Sequence, residues 1–85
     1  MITAPEYTVR RFVDGPAHVT TVMSIIADTE QIVFGFATDS GGRLLGAYYP
    51  GDHARQTDWR VVTAMGQTHH VTDEGHAVGG LISLA

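Results

Sequence analysis

A histidine-rich stretch near the C-terminus is the first place where this sequence could do chemistry. The chain has five histidines in 85 residues, and three of them cluster with two acids, at His69, His70, Asp73, Glu74 and His76. Imidazoles and carboxylates are the usual protein ligands of zinc, iron and nickel. The predicted metal-binding residues are therefore His70, His76 and Asp73. We expect no cofactor, and a bound divalent transition metal is the alternative. The spacing matches no zinc signature, so a solvated histidine-rich turn is the favoured interpretation.

A polar segment at 50–58 is the second candidate site. It places an acid, a potential base and a cation close together, at Asp52, His53 and Arg55. Aromatic and arginine side chains, which often anchor binding interfaces, flank it. These residues together form the predicted binding surface: Tyr48, Tyr49, Asp52, His53, Arg55, Trp59 and Arg60. A solvated connecting loop, with Trp59 and one tyrosine in the core, is the alternative.

Composition excludes several classes of function. The chain contains neither cysteine nor lysine, which removes disulfides, thiolate metal sites, cysteine nucleophiles and Schiff-base chemistry. The glycines at 41–42 predict a hairpin turn rather than a phosphate-binding loop, since strands flank them. No motif names a reaction, so a catalytic role is the less favoured interpretation. We therefore leave enzymatic activity open and expect none.

Charge and hydropathy set the expected location and partners. The net charge of −4 disfavours nucleic-acid binding, which requires a basic face. No apolar run approaches 18 residues, and the first residues do not resemble a signal peptide, so we expect no membrane span and a cytoplasmic protein.

Most of the chain shows the patterns of β-strands separated by turns, which predicts a mainly β fold. We expect a small antiparallel meander forming a closed or partly open barrel. Residues 17–27 are ambiguous, because their apolar spacing fits a helix while their β-branched residues favour a strand. The alternative is thus an α+β fold with one helix at about residues 16–28 packed on an antiparallel sheet. Residues 1–5 are expected to be a flexible tail and residues 6–85 a single β-rich domain.

The predicted turns at 28–31, 39–42 and 74–75 set a strand register. The register places Ile25 opposite Phe34, Met23 opposite Phe36, and Phe36 opposite Leu45. It also pairs Val71 with Val78 and predicts a terminal strand at 79–85. Both faces of the resulting sheet are apolar, one with Met23, Ile25, Phe34, Phe36 and Leu45, the other with Val22, Ile26, Val33, Ala37, Leu44 and Tyr48.

Because a sheet that is apolar on both faces must be covered on both, the pattern predicts a closed barrel, a covering helix or a second copy of the chain. We predict a small non-catalytic binding or assembly module that recognises a protein partner and forms a homo-oligomer, such as a phage or accessory inhibitor. The alternative is a β-barrel that binds a small molecule or metal through its histidines and has weak enzymatic activity.

Overall fold

The computed structural model describes residues 6–84, which form one antiparallel sheet and one helix. The six strands lie in the sheet in chain order, so each strand pairs with the one before it. The predicted mainly β meander is therefore confirmed, as a sheet that does not close into a barrel. The predicted tail at 1–5 lies outside the described residues. The elements are β1 (Glu6–Asp14), β2 (Ala17–Ile26), β3 (Thr29–Thr38), β4 (Leu44–Asp52), β5 (Thr57–Thr63), β6 (Thr68–Val71) and α1 (Glu74–Ser83).

Residues 17–26 of the ambiguous segment form β2, so the alternative helix at 16–28 is wrong. Along β2, burial alternates at Ala17, Val19, Thr21 and Met23, which share one face. The run of β-branched side chains decides this outcome, because such side chains pack well on a pleated surface and lose rotamer freedom in a helix.

The turn between β2 and β3 is shorter than predicted. Ala27 and Asp28 both have positive φ angles, 51° and 62°, as a two-residue type I′ hairpin requires. Next to this turn Ile25 pairs with Glu30, four residues from its predicted partner Phe34, and an irregularity between Val22 and Met23 reduces the displacement to three. Phe34 therefore pairs with Val22 rather than Ile25, and Phe36 with Thr20 rather than Met23. A shift of three residues exchanges the faces of these side chains.

The next hairpin is also displaced from its predicted register. Phe36 lies opposite Ala47 rather than Leu45, and Gly35 lies opposite Tyr48. The irregularity between Ala37 and Thr38 adds one residue to this displacement. The predicted membership of the two apolar faces is therefore wrong, although both faces are apolar.

The C-terminal segment is a helix, not the predicted hairpin and terminal strand. Asp73 caps α1, and its carboxylate accepts a hydrogen bond from the His76 backbone N–H at 2.8 Å. Ala77, Val78 and Leu81 form its buried stripe. The sequence did not predict this helix because three of its ten residues are glycine, the poorest helix former after proline.

The helix packs on one face of the sheet, against β4, β5 and β6. Gly46 permits this close approach, because a Cβ there would lie 2.5 Å from a Leu81 methyl carbon. The core between the layers includes Val19, Tyr48, Trp59 and Val61, all buried. Among the described residues, no helix has the length and hydropathy needed to cross a membrane.

Candidate functional site

The helix-covered face holds a polar network that joins four elements of the fold. The Tyr48 hydroxyl donates to Glu74 Oε2 at 2.6 Å and lies 3.0 Å from Thr21 Oγ1. Arg10 donates to Thr21 Oγ1 at 3.2 Å and forms an ion pair with Glu74. The network thus ties β1, β2 and β4 to the first residue of α1. Sequence analysis missed it, because its four members are far apart in the chain.

Electrostatics show what this network can do. Burial raises the pKa of Tyr48 well above its ordinary value, and the hydrogen bond to Glu74 raises the pKa further. Tyr48 is therefore a neutral hydrogen-bond donor at physiological pH rather than a general base. The Arg10 guanidinium also lies 5.0 Å from the centre of the Phe12 ring. We interpret these four residues as a structural clamp between sheet and helix.

The polar segment predicted at 50–58 is mostly strand, with a turn of four residues at 53–56. Gln56 fixes this turn to β3, since its side-chain amide accepts from the Ile32 N–H at 2.8 Å and donates to the Ile32 carbonyl at 3.1 Å. The Trp59 indole donates to the Gln56 carbonyl at 3.0 Å. The Gln56 side chain thereby replaces the backbone hydrogen bonds that β3 and β4 no longer make to each other at Ile32, where the two strands diverge.

The structure divides the predicted binding surface between two faces. Tyr48 and Trp59 are buried beneath the helix, with ring centroids 6.2 Å apart, so they belong to the core. Tyr49 and Arg60 pair with each other on the opposite face. Asp52, His53 and Arg55 lie in and beside the turn, where Asp52 accepts from the Arg55 N–H.

The three predicted metal-binding residues lie in two separate histidine–aspartate pairs, one of which includes Asp58, a residue outside the predicted set. His70 Nδ1 lies 3.4 Å from Asp58 Oδ1, and His76 Nδ1 lies 2.9 Å from Asp73 Oδ1. Asp73 is also the N-cap of the helix. Its carboxylate accepts a hydrogen bond from the backbone N–H of His76, and this bond lowers the pKa of the carboxyl. Across residues 6–84, no group of three or more potential ligands is close enough to hold a metal ion.

The face of the sheet opposite the helix is the main exposed feature. Within the described chain only α1 packs on the sheet, and it lies on the other side. Cross-strand pairing aligns two apolar rows on this uncovered face. We call this surface the open face and define it by Val9, Val22, Phe34, Phe36, Ala47 and Val62.

The open face is apolar at its centre and charged at its margins. Val9 is 52% exposed and Phe34 41%, while the other four members are partly buried by their neighbours. Arg11 lies at the β1 margin, and Arg60 lies towards the β6 margin, bound to Asp58 at 2.9 Å. This guanidinium lowers the pKa of the Asp58 carboxyl. A contiguous apolar patch with a charged rim is the usual composition of a protein interface.

Comparisons with protein-family models, curated proteins and solved structures found no significant match. The geometry of this molecule is therefore the basis for inferring its function.

Proposed function

We propose that this chain is a non-catalytic assembly module that binds a second copy of itself through the open face. The observation that carries the proposal is the uncovered face itself, which spans five strands and has an apolar centre. Leaving such a surface in water forgoes roughly 25 cal/mol of stabilisation for each Å² of apolar area. A second sheet packed about 10 Å away would recover that energy in a β-sandwich.

The size of the open face suits a dimer. The described residues extend over 44 Å and 24 Å in their two longer directions, so one face of the sheet, its polar margins included, measures at most roughly 1,000 Å². A standard stable interface buries about 800 Å² on each partner. An interface of ordinary size would therefore use most of this side of the sheet, with the open face at its centre.

The two edge strands, β1 and β6, are poorly suited to pairing with another copy of the chain, so we expect two copies to associate through their faces. If β1 paired with β1 of another copy over all nine residues, Glu6 would oppose Asp14 and Arg10 would oppose Arg10. Like charges directly opposite each other destabilise an antiparallel pair. The other edge strand, β6, has only four residues. Charged and short edges are devices that prevent edge-to-edge association.

The test is the native mass of the purified protein with and without a charge on the open face. We expect the wild type to have twice the 9.1 kDa mass of the monomer in light scattering. Phe36→Asp should dissociate it, because burying an unpaired carboxylate costs several kcal/mol.

Met65→Asp is the matched control, since Met65 is 88% exposed in the turn between β5 and β6 and lies outside the open face. It should leave the dimer intact. If Phe36→Asp does not fold, Val9→Asp serves, since Val9 is already exposed. A monomeric wild type at millimolar concentration would refute the proposal.

A further inference from the structure

We propose that a recess at one end of the open face receives Phe34 from a second copy of the chain. This inference rests on the proposed function, because it names the contact through which the two open faces engage. In a two-fold dimer the contact occurs twice, since each copy offers both the ring and the recess.

The recess lies where β1, β2 and β3 meet the turn between β4 and β5. Its volume is about 250 Å³, and it is lined by Tyr7, Ser24, Ile26, Val33 and His53. Tyr7 and Ser24 pair across β1 and β2 on the same side of the sheet as Val9 and Val22. The recess is therefore continuous with the open face.

The dimensions of the recess indicate the kind of occupant. Pockets for drug-sized ligands usually measure about 300–1,000 Å³, so this recess is smaller than that class. Its surface is mainly apolar, with the Ile26 and Val33 side chains and the Tyr7 ring among its walls. These features fit one apolar side chain better than a free polar metabolite.

Phe34 is the occupant that the open face itself supplies. Among the phenylalanine, tyrosine and tryptophan residues of the described chain, only Phe34 and Tyr7 are well exposed, and Tyr7 lines the recess itself. It follows Val33 directly, so the ring and the recess lie side by side on each copy. A two-fold axis in the plane of the interface, passing between them, would set each ring against the recess of the other copy.

A double-mutant cycle on the dimer dissociation constant tests this contact. Phe34→Ala removes the ring, and Ile26→Trp fills the recess at a position that is already exposed. We expect each change to weaken the dimer by about ten-fold or more, the usual effect of losing an aromatic anchor. Their combination should weaken it little further, because both remove the same contact.

Met65→Trp is the matched control, because Met65 is 88% exposed and lies outside both the recess and the open face. It should leave the dissociation constant within about two-fold of the wild type. Circular dichroism of each variant at low concentration checks that the monomer remains folded.

Two outcomes would overturn the inference and separate it from the proposed function. If the effects of Phe34→Ala and Ile26→Trp multiply in the double variant, the two residues act independently, and the contact is refuted while the dimer stands. If the wild type is monomeric, both proposals fail. Nuclear Overhauser effects between copies, from the Phe34 ring to the Ile26 and Val33 methyl groups of a mixed-label dimer, would confirm the contact directly.

Discussion

Gly35 and Gly79 differ in what a methyl group would meet at each position. A Cβ on Gly35 would lie 2.4 Å from the Tyr48 ring, whereas a Cβ on Gly79 would have nothing within 4 Å. We expect Gly35→Ala to lower the free energy of unfolding by about 1–3 kcal/mol through overpacking. Gly79→Ala should raise it by about 0.5–1 kcal/mol, since alanine favours the helix.

Chemical denaturation of the two variants measures whether the free energy of unfolding falls in Gly35→Ala and rises in Gly79→Ala. The pair is a matched test of the packing, because the same atoms are added at both positions. Equal destabilisation by both substitutions would contradict the close contact between Gly35 and Tyr48.

At the scale of single residues, the sequence shows which side chains could bind or react, but it does not show which of them are buried or bonded in the fold. The sequence favours Tyr48 and Trp59 as interface anchors and keeps Trp59 and one tyrosine in the core as the alternative, and both side chains are buried. Gln56 was not singled out, although its amide pairs with both backbone groups of Ile32. Such bonds depend on how the chain folds back over a separation of 24 residues, and local pattern carries no information about that.

The strands were predicted more reliably than the helix. Alternating apolar residues and β-branched side chains identify most strands locally, although the apolar spacing of β2 also fits a helix. In α1, glycines at 75, 79 and 80 conceal the helical pattern. Its stability comes from the cap at Asp73 and from packing of Leu81 over Gly46, and the latter contact is tertiary.

Because of the clamp between the sheet and α1, we expect the stability of the fold to decrease at alkaline pH. Because the folded state raises the pKa of Tyr48, the neutral phenol contributes stability that is fully present below the unfolded pKa of about 10 and is lost as pH rises above it. We therefore expect the free energy of unfolding to fall above pH 10. In Tyr48→Phe, which cannot ionise, this fall should be smaller.

Urea denaturation between pH 8 and 11 measures this dependence. Tyr49→Phe is the control, since Tyr49 lies on the opposite face and outside the clamp. Parallel pH profiles for the wild type and Tyr48→Phe would show that Tyr48 ionises freely in the folded protein.

At the scale of the whole molecule, the central question is what covers the open face. The sequence predicted that both faces would be apolar and that a helix, a closed barrel or a second copy would cover them. The structure supplies a helix for one face only. The second copy proposed for the other face links stability to concentration.

A dimer that unfolds as one unit should melt at higher temperature as its concentration rises. Each ten-fold increase contributes about 1.4 kcal/mol, equivalent to roughly 3–6 °C for a unit of this size. Differential scanning calorimetry over a hundred-fold range of concentration measures the shift. The melting temperature of folded Phe36→Asp should not change over that range, whereas an invariant melting temperature for the wild type would contradict dimerisation.

The sequence by itself determined the class of fold and the presence of two apolar faces, because alternation of side chains is a local property of strands. It also excluded chemistry that needs cysteine or lysine. Tertiary structure decided the register, since a two-residue turn and irregular pairing moved Phe34 and Phe36 to other partners. Tertiary structure likewise decided the C-terminal helix and the clamp, because both depend on contacts between residues that are distant in the chain.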